Sequence, residues 1–405
     1  MDVIVVGGGI VGLSCALALG NAGFQCALIE SQTCVNKIPE RDALFDPKVV
    51  AITRASELFF KQLGVWDLIE QSQRCCPYSR MQVWDSESDG LIEFRADEFF
   101  EANLGHIIEQ QVIIAALWQK LQQQVAVTIF SQASIQEMHL RAEEVTVRLH
   151  SGQSLSARLI IGADGANSQI RKLSNIESVP TAYQQSALVA IITHEKPHQF
   201  TAYQQFNPGG PLALLPLANI DQSALVWTLP TLRAREMLEQ DNHDFSAQLA
   251  QTCQYFLGKM QVLSNRALFN LQSHHSTQYV KTRCALIGDA AHTLHPLAGQ
   301  GVNLGLLDVI ALVNVLTPVR QKNKDYGELS ILQRYERQRR LHNHAMIKAM
   351  EGFNALFGSR SNLLRRLRNS GLHWVNQNRV LKRWFVNIAL GKGMRLRDVK
   401  ENQAV

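Results

Sequence analysis

The chain has 405 residues, 46% of them hydrophobic and 19% charged, with a formal net charge of +5. That composition belongs to a folded globular protein with material for two closely packed domains, and it excludes a disordered or fibrous chain. The seven cysteines, at 15, 26, 34, 75, 76, 253 and 284, are odd in number and contain no C-x-x-C, so reduced thiols are expected rather than a disulfide framework. No metal site is expected, because His274-His275 and the His342/His344 pair lack ligand spacing with an acid. No run of about 18 apolar residues escapes charge or clustered glycine, so no membrane-spanning helix is expected. The apolar N-terminus lacks a basic lead and is interrupted by glycines, unlike a secretory signal.

In chain order, Val3-Ile4-Val5-Val6 reads as a short strand. Gly7-Gly8-Gly9-Ile10-Val11-Gly12 follows and satisfies G-x-G-x-x-G at Gly7, Gly9 and Gly12. A helix from Leu13 to Ala22 and a strand from Cys26 to Ile29 come next, closed by Glu30, 18 residues past Gly12. Alone the glycine pattern is weak. Between a strand and a helix, with an acid closing the second strand, it reads as a dinucleotide site whose ribose hydroxyls fall to Glu30. Helical patterning resumes over Val112–Gln124. Val125–Phe130, Ile135–His139 and Val145–Leu149 then read as a β-meander.

Leu159-Ile160-Ile161 is a buried-type strand running into Gly162-Ala163-Asp164-Gly165-Ala166-Asn167-Ser168, with Arg171 beyond. An Asp-Gly pair there is either an ordinary turn or a second cofactor contact. Beside the other motifs, the contact through Asp164 and Gly165 is preferred. From about Pro180 to Leu271 the chain alternates apolar and polar residues, broken by Asn207-Pro208-Gly209-Gly210-Pro211, which predicts an antiparallel sheet suited to flooring a substrate pocket.

Cys284–Ile287 is a further apolar strand, leading into Gly288-Asp289 and then to Pro296, Gly299-Gln300-Gly301-Val302-Asn303. Asp289 can accept hydrogen bonds from sugar-like hydroxyls. Gly299 and Gly301 admit the backbone to a flat ring, with no Cβ in the way. The N–H groups of Gly301, Val302 and Asn303 open a helix and present partial positive charge to an electron-rich edge. A reduced flavin, with negative charge on its pyrimidine ring, requires such a partner. A flexible charged loop is expected over Arg320–Glu328, followed by a helical tail.

That tail is basic. Between Ile331 and Arg397 there are 15 Lys or Arg against Glu336 and Glu351, a surplus of 13 that leaves about −8 on the rest of the chain. Apolar stripes run through it. Met346, Ala349, Met350, Phe353, Leu356 and Phe357 follow helical spacing and read as core. Leu381, Trp384, Phe385 and Ile388, flanked by Lys382 and Arg383, have the pattern of an interfacial helix. For the second stripe, surface or partner binding and ordinary packing both stay open. No nucleic-acid partner is expected, since no binding motif accompanies the charge.

The three motifs, in this order, resemble the aromatic-ring flavoprotein monooxygenases of the para-hydroxybenzoate hydroxylase class, and more narrowly the hydroxylases of ubiquinone biosynthesis. The narrowing rests on Leu63-Gly64-Val65-Trp66-Asp67, Pro77-Tyr78, Val83-Trp84-Asp85, Leu104-Gly105-His106-Ile107-Ile108-Glu109, Ser186–Ala190, Gly210–Leu217 and Arg334-Tyr335-Glu336-Arg337. It covers Val3 to about Gly391. The resemblance implies an α/β, or α+β composite, fold: a Rossmann-like FAD-binding domain, an inserted antiparallel β-sheet substrate domain and a C-terminal helical tail. The expected divisions are 1–179 and 272–330 for the FAD-binding domain, 180–271 for the substrate sheet with further strands from 76–110, and 331–405 for the basic tail.

It further implies FAD as cofactor, NAD(P)H as a transient electron donor, O2, and a polyprenyl phenol substrate hydroxylated through a flavin C4a-hydroperoxide. Ring C5 is the first reading. The alternative is a 6-hydroxylase of the 3-methyl-6-methoxy-benzoquinol type, since Arg74-Cys75-Cys76-Pro77-Tyr78 reads more like that branch. No second G-x-G-x-x-G exists for a resident nicotinamide. By resemblance, Pro296 shapes the space beside the ring. Lys48 stands where the family usually has Arg, with Arg41 near enough to substitute, and Gln110 stands for the usual Asn; all three are expected at the cofactor. No catalytic base is assigned; His106, His194, Tyr203 and His295 are the candidates. Leu212–Leu217 and Val226-Trp227 either line a tunnel for the prenyl tail or form ordinary sheet core.

Two rival classes exist. A prenyl-lipid carrier on the same fold has no need of the Gly299-Gln300-Gly301 loop, and a flavin halogenase should show Trp-x-Trp-x-Ile-Pro, which none of the six tryptophans here supplies. The expected location is cytoplasmic, with contact to the inner face of the membrane or to a ubiquinone-biosynthesis complex through the basic tail. Homo-oligomer formation stays open.

Overall fold

The computed structural model describes residues 1–35, 37–87, 90–293, 301–358 and 396. Val3–Val6 is apolar at every position and buried on both faces, the pattern of a central parallel strand. It pairs in parallel with Cys26–Glu30 on one side and Leu159–Gly162 on the other. The whole sheet runs Val280–Lys281, Cys284–Leu286, Leu159–Gly162, Val3–Val6, Cys26–Glu30, Val127–Ser131. Only the hairpin edge at Val280–Lys281 is antiparallel. The helix Ile10–Asn21 is buried on nearly all sides and packs against the helices Gln110–Gln122 and Gly301–Gln321.

This order dictates where the motifs meet. The strand Val3–Val6 has later strands on both sides, so the chain reverses its winding there, and crevices form beyond the carboxyl ends at such a point. The glycine loop, the Asp164 loop and the Asp289 loop follow three adjacent strands, with Val6 beside Gly162 and Gly162 beside Leu286. They therefore converge at one edge.

A second sheet of nine strands stands beside the first. Its order is His292–Thr293, Ala267–Ser276, Ser178–His194, Gln222–Pro230, Gly210–Pro216, Thr201–Asn207, Arg80–Asp85, Leu91–Arg95, with Met260–Val262 against Ser178–His194. Alternation gives it two faces. The outer face carries Leu188, Leu225 and Trp227 against Ala234, Met237, Phe245 and Leu249 of the helices Thr231–Glu239 and Asn242–Thr252. The inner face carries Ile191, Ala202, Ala213, Leu215 and Ala224 against Phe45, Ile107, Val49 and Ala51. Val49–Ile52, Gly105–Glu109 and Cys75–Tyr78 form a small sheet between the two large ones.

Two sequence expectations change. The strand expected at Val125–Phe130 forms as Val127–Ser131 and does not start a meander. It follows the helix Gln110–Gln122, and the crossover lays it parallel beside Cys26–Glu30. Ile135–Leu140 instead pairs antiparallel with Val145–Leu149, and Val145–Leu149 with Ser154–Ala157, as a separate three-stranded sheet. The loop expected to be flexible after Arg320 is tied down: Asp325 pairs with buried Arg283, and Tyr326 is 1% exposed and donates to Asp2 Oδ1 at 2.9 Å. The helix Gly301–Gln321 is long and apolar enough to cross a membrane, yet 72% of its apolar window is buried inside the protein, as in a core helix. Leu329–Gly358 is one long helix, and Met346 on it packs against Leu304. The stripe from Leu381 to Ile388 lies outside the described residues.

Candidate cofactor and substrate site

The three fingerprint glycines have different tasks. Gly7 has φ +113°, and a Cβ there would lie 2.3 Å from the Ala163 carbonyl oxygen. A Cβ on Gly12 would lie 2.0 Å from the Gly7 carbonyl oxygen. Both let the glycine loop close on itself and on the Asp164 loop. Gly9 differs: it is exposed, and a Cβ there would meet nothing within 4 Å. Gly165, at φ +78°, is equally open, and a Cβ on Gly301 would come no nearer than 3.8 Å to Asp289 Oδ1. Each motif thus carries one glycine with open space beside it, on loops that follow adjacent strands of one sheet.

The acids divide likewise. Glu30 accepts from the Gly8 N–H and, at 2.7 Å, from the Gln32 N–H, so its carboxylate sits over the glycine loop. Asp164 turns inward, accepting from Ser168 Oγ at 2.5 Å and from the Gln169 and Ile170 N–H groups at 2.6 and 3.0 Å. Its carboxylate shapes the loop that presents Gly165. Asp289 is solvent-exposed. The surrounding protein raises its carboxyl above the ordinary range, with His292 pulling the other way.

Gly301 opens the helix as expected, with Val302 and Asn303 in its first turn. The Asn303 side chain is spent on the scaffold: Oδ1 accepts from the Thr53 N–H at 3.0 Å and Ser56 Oγ at 2.7 Å, and Nδ2 donates to the Ala51 carbonyl at 2.7 Å. What Asn303 offers a ring is its backbone N–H. Pro296, Gly299 and His295 lie outside the described residues.

Around this helix lies a polar clasp that the sequence reading missed. Asp308 is fully buried. It accepts from the Gly288 N–H at 3.0 Å, His292 Nε2 at 2.5 Å, Arg339 Nε at 2.7 Å and Asn343 Nδ2 at 3.2 Å. Burial works to raise its carboxyl, but His292 and Arg339 outweigh that and hold it well below the ordinary range. One carboxylate so joins both ends of the segment between Asp289 and the helix, and ties them to Leu329–Gly358. Arg171 performs a parallel task, donating to the Ala166 and Ala290 carbonyls at 2.7 and 2.9 Å and lying 3.0 Å from His274 Nε2.

A second clasp positions the remaining expected contacts. Arg74 and Glu109 are fully buried partners at 2.6 and 2.8 Å, and Glu109 also accepts from the Asp46 N–H at 2.7 Å. Arg74 donates to the carbonyls of Glu40, Arg41, Ala43 and Leu44. The segment bearing Arg41 is thus fixed while Arg41 itself stays exposed. Lys48 lies with Nζ 5.4 Å above the Phe269 ring, on the substrate sheet. Gln110 is the first residue of its helix, its N–H donating to the Lys48 carbonyl at 2.9 Å.

The described candidates for a catalytic base are engaged elsewhere. His106 lies between Glu57, at 3.4 Å, and the Trp66 ring, with its imidazole pKa lowered chiefly by burial. His194 bonds the Lys196 carbonyl and Ser223 Oγ. Tyr203 packs against Trp84 and Phe256, on the outer side of the sheet. Leu212, Leu214 and Trp227 likewise belong to the outer core, whereas Ala213, Leu215 and Val226 face the cofactor side.

Comparison with known proteins fits this geometry. Residues 1–350 match the family model described as FAD binding domain. The chain is 37% identical over 390 residues to the 3-demethoxyubiquinol 3-hydroxylase of Escherichia coli (strain K12), covering 96% of this chain and 98% of that one. It is 31% identical over 392 residues to the ubiquinone hydroxylase UbiL of Rhodospirillum rubrum, covering 96% and 89%. The p-nitrophenol 4-monooxygenase PnpA of Pseudomonas putida DLL-E4 superimposes with a TM-score of 0.78 at 18% identity, covering 96% and 98%, which shows a shared fold. With the family model matched over residues 1–350, most of its length, the chain belongs to the FAD-binding domain family.

Proposed function

We propose that this protein is an FAD-dependent, NAD(P)H-using monooxygenase that adds one oxygen atom to the ring of a polyprenyl phenol or quinol on the way to ubiquinone. The observation that carries the reading is the near full-length likeness to a demethoxyubiquinol hydroxylase, joined to an open glycine in each cofactor motif. FAD, when bound, supplies the redox chemistry. Gly7, Gly9, Gly12, Glu30, Gly165 and Asp289 would hold it. The helix start at Gly301 to Asn303 presents N–H groups and partial positive charge. Phe45, Val49, Ala51 and the inner face of the second sheet make an apolar wall that keeps water from the ring.

Two ring positions follow from separate observations. C5 is the position that the motif resemblance puts first; the name of the Escherichia coli relative points to the unsubstituted carbon of a demethoxy ring. The test is direct. Purified protein loaded with FAD is given NADPH, O2 and short-tailed analogues of each precursor, and the products are resolved by mass and NMR. One analogue should gain a single oxygen. Absence of flavin uptake, or oxidation of NADPH with no oxygenated product from either analogue, would overturn the reading.

The basic region after Ile331 is proposed to hold the enzyme at an anionic membrane surface, where its substrate resides. Full-length protein should sediment with phosphatidylglycerol vesicles at low salt and be released by added salt. Failure to sediment would remove this part alone.

A further inference from the structure

The strand Thr201–Asn207 contains two adjacent glutamines with opposite fates. Gln205 faces outward, and its Nε2 donates to Asn207 Oδ1 at 2.9 Å and to the Thr252 carbonyl at 3.0 Å. Gln204 faces inward and is 7% exposed; its amide has no hydrogen-bond partner among the described residues and keeps some access to solvent. Its neighbours across the strands give it none. In register it lies beside Val83 and Ala213, and Ala213 lies beside Val226, which lies beside Val189. A row otherwise apolar thus holds one amide, able both to donate and to accept. An amide without a partner among the described residues, yet reachable from outside the chain, is free to meet a polar atom arriving there.

The direction it faces is fixed by the fold. Ala202 and Ala213, on the same face, belong to the cluster that packs against Val49 and Ala51. The Ala51 carbonyl is in turn bonded to Asn303 at the start of the Gly301–Gln321 helix. Gln204 therefore lies on the sheet wall opposite the helix start that would face the flavin.

We infer that Gln204 orients the aromatic substrate, its amide oxygen accepting from a ring hydroxyl and its amide N–H₂ donating to a ring oxygen. This assignment rests on the proposed reading of the enzyme as a ring hydroxylase. It makes Gln204 a determinant of which ring carbon is presented for oxygenation.

The experiment compares two probes on the FAD-loaded enzyme: a decyl-tailed demethoxyubiquinol and its di-O-methyl ether, which keeps the oxygens but has no hydroxyl to donate. Binding is followed by the change in flavin fluorescence. The wild type should prefer the quinol by about tenfold, as one hydrogen bond allows. Gln204→Leu should bind both probes alike, with an unaltered flavin spectrum as evidence of folding. A Gln204→Leu enzyme that keeps the wild-type preference overturns the assignment. If Gln204→Leu does not retain FAD, Gln204→Met keeps the length of the side chain, and the same comparison decides. Failure of the wild type to oxygenate the quinol would instead strike the underlying reading, whatever the variant does.

Discussion

The two walls of the cleft are stabilised in different ways. On the cofactor side, loops of many sequence positions are locked by buried charge: Asp308 with His292 and Arg339, Arg74 with Glu109, Arg171 with two carbonyls. On the substrate side, a regular sheet is held by apolar packing, with Leu225, Leu214 and Trp227 under two helices. The charged wall has specific geometry that fails as a unit, because a buried ion left without its partner is costly. The apolar wall tolerates change gradually, since each side chain contributes its own area. An active site that must fix one ligand and admit another gains from that division.

Asp308→Ala attacks the comparison hardest. It leaves Arg339 and His292 buried without their shared carboxylate and should cost about 3–5 kcal/mol of stability. FAD affinity should fall with it, measured by chemical unfolding and flavin titration. A mild loss with normal FAD binding would show that the clasp does not set the loop. Leu225→Ala removes a fully buried side chain from the other wall and should cost roughly 2–5 kcal/mol as well. Here the FAD affinity should stay within about twofold, because the substitution lies behind the sheet. Equal damage to FAD binding by both variants would erase the distinction.

Acid should sharpen it. Burial, with Arg171 for His274 and His292 for His275, holds these two imidazoles down at about 4, against 6.5 for a free side chain. Between those values the unfolded chain takes up protons that the folded chain refuses. Stability is therefore intact above pH 6.5 and declines as pH falls toward 4, by on the order of 1–3 kcal/mol. His274→Gln should flatten part of this decline in melting temperature against pH; an unchanged slope would locate the acid sensitivity elsewhere. The smallest expected stability effect is Gly9→Ala. Gly9 has φ −78°, which alanine adopts without strain, so stability should change by under about 1 kcal/mol. The added methyl stands in the crevice, and FAD should bind on the order of tenfold more weakly. Wild-type FAD affinity in this variant would mean that the open glycine does not face the cofactor.

The sequence made the local part of the cofactor wall legible. A strand, a glycine turn and a helix within thirty residues announce themselves, and the order of three such pieces placed them at one sheet edge. The clasps were not legible in the same way, because their members are far apart: Arg74 and Glu109 are separated by 35 positions and Asp308 and Arg339 by 31. A trace existed in Asp308, an acid set among Leu306, Leu307, Val309 and Ile310, where an unpaired charge is not tolerated. The inner face of the sheet was half legible. Alternation separates Gln204 from Gln205, but only the packing of helices against the far side tells which of them faces the cleft.

The reach of Asp308 along the chain bears on how the protein is made. Synthesis proceeds from the N-terminus, so all three nucleotide motifs have been made while Arg339 and Asn343 are still to be added. Until they arrive, the carboxylate in the middle of the helix lacks two of its four donors. A nascent chain thus carries every recognisable signature of the cofactor site before it carries the means to close it, and secure retention of the cofactor becomes one of the last events of biosynthesis.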